Sequence, residues 1–118
     1  MTVPAPFDTL RDRMNHSKGG DAMITFEYRF DILPGKAAGY EKYVKGAGKN
    51  MWSKYRGVKA VRRYKSMLGG SSPQRVVQVD LDSLATLEKI LSDPGFKKAK
   101  EKFHGMVTHV GDSLLVSV

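Results

Sequence analysis

Apolar and polar residues alternate strictly from Ile24 to Ile32. Ile24, Phe26, Tyr28, Phe30 and Ile32 fall on one face; Thr25, Glu27, Arg29 and Asp31 fall on the other. A period of two marks a strand with one buried face. Pro34-Gly35 ends it, and the period lengthens to that of a helix. The spacing predicts a helix from Ala37 to Tyr55, with Tyr40, Val44, Ala47, Met51 and Tyr55 on its apolar side. Lys42, Lys45 and Lys49 take the opposite side, and Trp52 falls on the flank beside them. Gly39, Gly46 and Gly48 each cost about 1 kcal/mol relative to alanine in a helix interior. Such a helix needs close packing or tertiary contacts to hold it.

Alternation returns from Val58 to Leu68, and Gly69 to Pro73 reads as a turn before a strand at Arg75–Leu81. Asp82-Ser83 supplies a helix N-cap. Leu84, Leu87 and Leu91 begin an apolar stripe that Pro94-Gly95 interrupts and Phe96, Ala99, Phe103 and Val107 continue. Asp112-Ser113 then leads into a short strand, Leu114 to Val118. The order is β-α-β-β-α-β, an α+β ferredoxin-like pattern. It predicts a four-stranded antiparallel sheet with two helices on one face. The polar face of the first strand is expected to meet another sheet through hydrogen bonds and ion pairs.

The chain has 118 residues, which predicts one domain at 23–118 behind an extension at 1–22. The extension holds two prolines and no apolar period and is expected to be loose, with Phe7 and Leu10 able to dock. No apolar run approaches the length of a membrane span, and the start does not read as a signal peptide. A cytoplasmic location is the expectation. The absence of cysteine excludes thiol chemistry and disulfides.

The net charge of +8 is unevenly placed. Between Lys36 and Lys65 stand ten Lys/Arg and one acid, Glu41, a balance of +9; the remaining residues carry ten bases and eleven acids, a balance of −1. Such a segment is either a solvated face or a surface for an anionic partner. A sheet-face RNA binder would need aromatic residues on the third strand. Arg75 to Leu81 has none.

From 22 to 118 the chain resembles the dimeric α/β-barrel superfamily. The resemblance rests on the aromatic first strand ending in Pro34-Gly35 and on the stretch from Asp82-Ser83-Leu84-Ala85 to Ser92-Asp93-Pro94-Gly95-Phe96-Lys97-Lys98-Ala99. That stretch is similar to the family's helix–break–helix, followed by F-x-x-A. Members include antibiotic-biosynthesis-monooxygenase-like proteins, haem-degrading monooxygenases, stress-responsive barrel proteins and muconolactone-isomerase-like enzymes. The resemblance implies a homodimer joined through its sheets, with a pocket between sheet and helices in each subunit. In the haem-degrading branch a histidine near F-x-x-A ligates iron; Lys100 stands at the matching place here. The tryptophan that branch carries after the third strand is missing from Val79-Asp80-Leu81-Asp82. Both departures argue against haem degradation, and no cofactor is expected.

The expected ligand-binding residues are Tyr28, Tyr40, Lys100 and His104. Tyr28 and Tyr40 point toward the predicted sheet–helix interior, and Lys100 could hold an anionic group. His104 could move a proton near neutral pH, which makes it and Tyr28 the candidate catalytic residues. No histidine or carboxylate spacing announces a metal site. The leading expectation is a small-molecule-binding barrel protein, acting as a cofactor-independent monooxygenase or isomerase on an aromatic or polyketide-like substrate. The alternatives are a non-catalytic stress-responsive or structural barrel, and a nucleic-acid-associated protein using the basic helix face with Trp52 stacking beside it.

Overall fold

The first strand, β1, spans Ile24–Ile32 and buries Ile24, Phe26, Tyr28 and Phe30 in turn. The structure, a computed structural model, describes residues 23–46, 48–69 and 71–118. The 1–22 extension, Ala47 on the expected helix stripe and Gly70 in the expected turn lie outside the described residues.

After β1 come α1 (Ala37–Lys45), β2 (Val58–Lys65) and β3 (Arg75–Leu81). These are followed by α2 (Leu84–Ser92), α3 (Pro94–His104) and β4 (Val107–Val116). The strands form one antiparallel sheet in the order β2-β3-β1-β4. The most apolar strand is central and the basic strand β2 is an edge. This is the expected ferredoxin-like α+β arrangement, with the second helix split in two. Ser83 caps α2 by accepting from the Thr86 N–H, and Asp93 caps α3 by accepting from the Phe96 N–H. Pro94 follows at the first position of α3, where a missing N–H costs nothing.

Three expected elements differ, the least of them β2, which ends at Lys65 rather than Leu68. The helix predicted to reach Tyr55 stops at Lys45. Gly46 closes it with N–H bonds to the Lys42 and Tyr43 carbonyls, and successive turns carry the chain to β2. Gly48 lies against the Tyr43 ring so closely that a side chain there would collide with it. The core therefore takes Tyr40 and Tyr43 from the helix and Met51 and Trp52 from the irregular segment. β4 starts seven residues earlier than expected, at Val107 rather than Leu114, because its pairing with β1 carries it across Gly111-Asp112-Ser113.

All three helices contribute to one buried cluster on the same side of the sheet. The other side is polar. Arg62 on β2 makes two 2.7 Å bonds to Asp80 and one of 3.1 Å to Gln78. Gln78 donates to Glu27, Glu27 pairs with Arg29 at 2.6 Å, and Arg29 donates to Ser113 on β4. A continuous ladder of polar side chains thus crosses all four strands.

At one end of β1, Asp31 accepts from the Ser72 hydroxyl, the Gln74 N–H and the His109 ring. The pairing of β1 with β4 shifts register there, and His109 takes a positive φ of 54°.

Candidate functional site

A cavity of about 120 Å³ lies between the sheet and α3. β1 contributes Phe26 and Tyr28, the turn segment Met51 and Trp52, and α2 Leu91. α3 contributes Phe96, Lys100, Phe103 and His104, and β4 Val110 and Asp112.

The walls are aromatic. Trp52 is 2% exposed and meets the Phe96 ring edge-on at 4.7 Å between centroids. Phe103 stands edge-on to Tyr28 at 5.7 Å and to Phe30 at 4.8 Å. Such tilted contacts hold planar rings in fixed orientations. The polar groups sit differently: Lys100, His104 and Asp112 are exposed. One end of the cavity is thus a buried aromatic box and the other a rim of two bases and an acid.

Tyr28 links the two ends. Its hydroxyl accepts the Trp52 indole N–H at 3.1 Å. An indole N–H can only donate, so the tyrosine keeps its own O–H to offer elsewhere. Burial pushes the Tyr28 phenol up to about 12, against the opposing effect of the Trp52 bond. At neutral pH it is a proton-bearing donor, not a base. Asp112 faces Tyr28 directly across the β1–β4 pairing.

Of the residues expected from the sequence, Tyr28, Lys100 and His104 share this cavity. Tyr40 does not line it. It is buried against Phe30 beneath α1, with the Arg75 guanidinium 5.8 Å from its ring centre. Trp52 was expected beside the basic stripe, free to stack on a base; the structure buries it instead. Once α1 ends at Gly46, the helical phase that put Trp52 on the flank no longer applies. Asp112 was missed because Gly111-Asp112-Ser113 reads as a turn. Its signal was the strand partner, which a single chain's pattern does not reveal. Among the described residues no three His, Cys, Asp or Glu side chains are grouped to hold a metal, and no helix is long and apolar enough to cross a membrane.

No family model matches the sequence, and no curated protein matches it either. Solved structures do match. SnoaB, a cofactor-independent oxygenase from Streptomyces nogalater, superposes with a TM-score of 0.67 at 14% identity, over 82% of this chain and 94% of that one. A DABB-family protein with a ferredoxin-like fold from Mesorhizobium loti gives 0.69 at 14% identity, over 82% and 98%. A candidate antibiotic biosynthesis monooxygenase from Caulobacter crescentus gives 0.69 at 18% identity, over 83% and 92%. The fold shared with these structures is the ferredoxin-like α+β fold. At these identities the likeness establishes architecture; activity has to be argued from the cavity.

Proposed function

We propose that the protein binds a small aromatic molecule between β1 and α3 and oxygenates it without a cofactor. The observation that carries this reading is the hydrogen-bonded Tyr28–Trp52 pair, set in an aromatic box behind the polar rim of Lys100, His104 and Asp112. A cavity of roughly 150 Å³ accommodates benzene. The 120 Å³ here therefore suits one ring, with the remainder of a larger substrate lying across the rim.

A suitable substrate is a phenolic ring system with an adjacent acidic methylene. His104 or Asp112 removes a methylene proton, and the resulting carbanion is delocalised into the ring as an enolate. Lys100 and the Tyr28 O–H stabilise the oxygen that gains charge. The enolate then reduces dioxygen. Overall CH₂ and O₂ become C=O and H₂O: the carbon gives up four electrons and dioxygen takes four. The substrate is its own reductant, so the stoichiometry closes without a flavin or metal. SnoaB, by its description a cofactor-independent oxygenase, shares the fold and supports this reading.

We further propose a homodimer joined through the polar face of the sheet. The ladder from Arg62 to Ser113 offers donors and acceptors across that whole face. Its side chains pre-form their bonds, which lowers the cost of burying them.

The size of the cavity favours a second reading. It is smaller than most ligand pockets, which run from about 300 Å³. Phe26, Met51 and Phe103 occupy much of its wall, as they would in a non-catalytic barrel. The two readings separate in one experiment. Trp52 is the sole tryptophan and lines the cavity, so its emission reports occupancy. Titration with planar phenols, followed by oxygen-electrode measurement, is expected to show Trp52 quenching and oxygen uptake. Quenching without uptake would leave a binding protein, and neither would leave the structural reading.

A further inference from the structure

A second cavity lies on the other side of α1. It is a groove of about 280 Å³ between α1 and the β2–β3 end of the sheet, lined by Tyr40, Glu41, Val44, Arg63, Lys65 and Arg75 among others. We propose that this groove is a binding site for a phosphate monoester of a small organic molecule.

Charge is the first argument. Arg63, Lys65 and Arg75 face one acid, Glu41, leaving the groove at +2. Arg75 is held by Glu41 at 3.0 Å and lies over the Tyr40 ring, which fixes its position. Arg63 and Lys65 have neither a carboxylate nor a hydrogen-bond partner among the described residues. Two unpaired cations beside a fixed guanidinium match a dianion better than a single carboxylate.

The strand register adds to this argument. Lys65 pairs directly with Arg75. Like charges directly opposite each other across an antiparallel pair destabilise it. An anion between them turns that repulsion into two attractions.

The Tyr40 hydroxyl adds a neutral donor. It has no hydrogen-bond partner among the described residues, and no described side-chain oxygen is both buried and unpartnered. The hydroxyl is therefore open to an incoming acceptor. Val44, Val76 and Val77 supply apolar wall, and the volume leaves room for an organic group beside the phosphate.

The groove is separate from the aromatic cavity. The space between them, bordered by both Tyr28 and Arg63, measures about 20 Å³, room for no more than a water. A polyanion fits less well than a small ester. Glu41 is 51% exposed on the rim, and the one tryptophan that could stack on a base is buried.

The test is calorimetric titration of the full chain with phenyl phosphate and with inorganic phosphate. Arg63→Gln, whose side chain is exposed, is compared with Lys97→Gln, an exposed change on α3 outside the groove. Removing one charge-assisted partner is expected to weaken phenyl phosphate about tenfold in Arg63→Gln and leave Lys97→Gln unchanged. Matching melting temperatures are expected for the two variants. Equal losses in both would overturn the site in favour of diffuse attraction. So would no binding to the unmodified chain at millimolar ligand. Quenching of Trp52 that survives Arg63→Gln would place the anion at Lys100 and sink the groove. A single-stranded DNA oligomer that binds more tightly than phenyl phosphate without competing with it would replace the small ester with a polyanion.

Discussion

The Trp52 indole N–H and the Tyr28 hydroxyl meet at 3.1 Å inside the aromatic cavity, 24 residues apart in sequence. The bond ties the turn segment to the central strand at the place where a ligand would rest. Tyr28→Phe removes the acceptor and leaves the indole N–H buried without a partner. The expected cost is about 1–3 kcal/mol. Chemical denaturation followed by Trp52 emission measures it, and an unchanged midpoint would mean that the indole finds another acceptor.

Gly48 and Tyr43 form a second dependence. A Cβ at position 48 would lie 2.7 Å from Tyr43 Cδ2, so the ring has to move. That ring is anchored: its hydroxyl donates to the Ala99 carbonyl at 3.2 Å and lies 3.4 Å from Met51 Sδ. Gly48→Ala is expected to destabilise the protein by about 1–3 kcal/mol, the usual cost of overpacking. Calorimetry on this variant beside Gly39→Ala, where no atom stands within 4 Å, isolates the collision.

The rim can be changed without harm to the fold. His104 and Lys100 are exposed, so alanine at either is expected to alter stability by less than about 0.5 kcal/mol. Under the oxygenase reading, loss of the proton-removing group lowers turnover roughly 10²–10⁴-fold. His104→Ala and Asp112→Asn, assayed side by side, tell which residue takes the proton. Full activity in both would remove that role from the rim.

Acid is expected to weaken the fold at defined carboxylates. Hydrogen bonds from Ser72 and Gln74 hold Asp31 below the ordinary 3.8, and the Arg62 guanidinium does the same for Asp80. Asp93 is lowered chiefly by Tyr55, and Glu27, ordinarily 4.5, chiefly by Gln78. The folded state thus binds fewer protons than the unfolded one in this range. The stabilisation is complete above the ordinary values and is lost as pH falls through the lowered ones. Melting temperatures are expected to hold near pH 6 and drop below about pH 4. Asp31→Asn, which no longer titrates, is expected to flatten that fall.

The proposed dimer makes a size prediction. Arg62→Glu places two acids together at Asp80 and breaks the ladder at its β2 end. Sedimentation is expected to show twice the 13.1 kDa chain mass for the unmodified protein and the chain mass for the variant. An unmodified protein that runs as a monomer would end the proposal.

β1 and β3 were legible because β1 alternates without a fault and strong signals bound the elements around them: Pro34-Gly35, Ser83, Pro94; the start of β4 was not, because Gly111-Asp112-Ser113 reads as a turn. The end of α1 was not, because Tyr40, Val44 and Met51 keep helical spacing across a break made by the Gly46 cap and the Gly48–Tyr43 contact. For the same reason Trp52 was misplaced. Tyr28 could be named in advance from strand parity, His104 from its place beside the α3 stripe, and Lys100 from the family resemblance alone. Asp112 could not, since its position depends on which residue of β1 it faces.

The rim residues Lys100, His104 and Asp112 all lie in the last two elements and are exposed, whereas the aromatic box is built mainly from β1, the turn segment and the buried rings of α3. Under the proposed function, fold and selectivity rest on different side chains. Drift at three surface positions would then redirect the protein to a new molecule in a few steps, while the aromatic box stays as it is. A scaffold divided in this way is suited to producing many relatives that share a shape and little else.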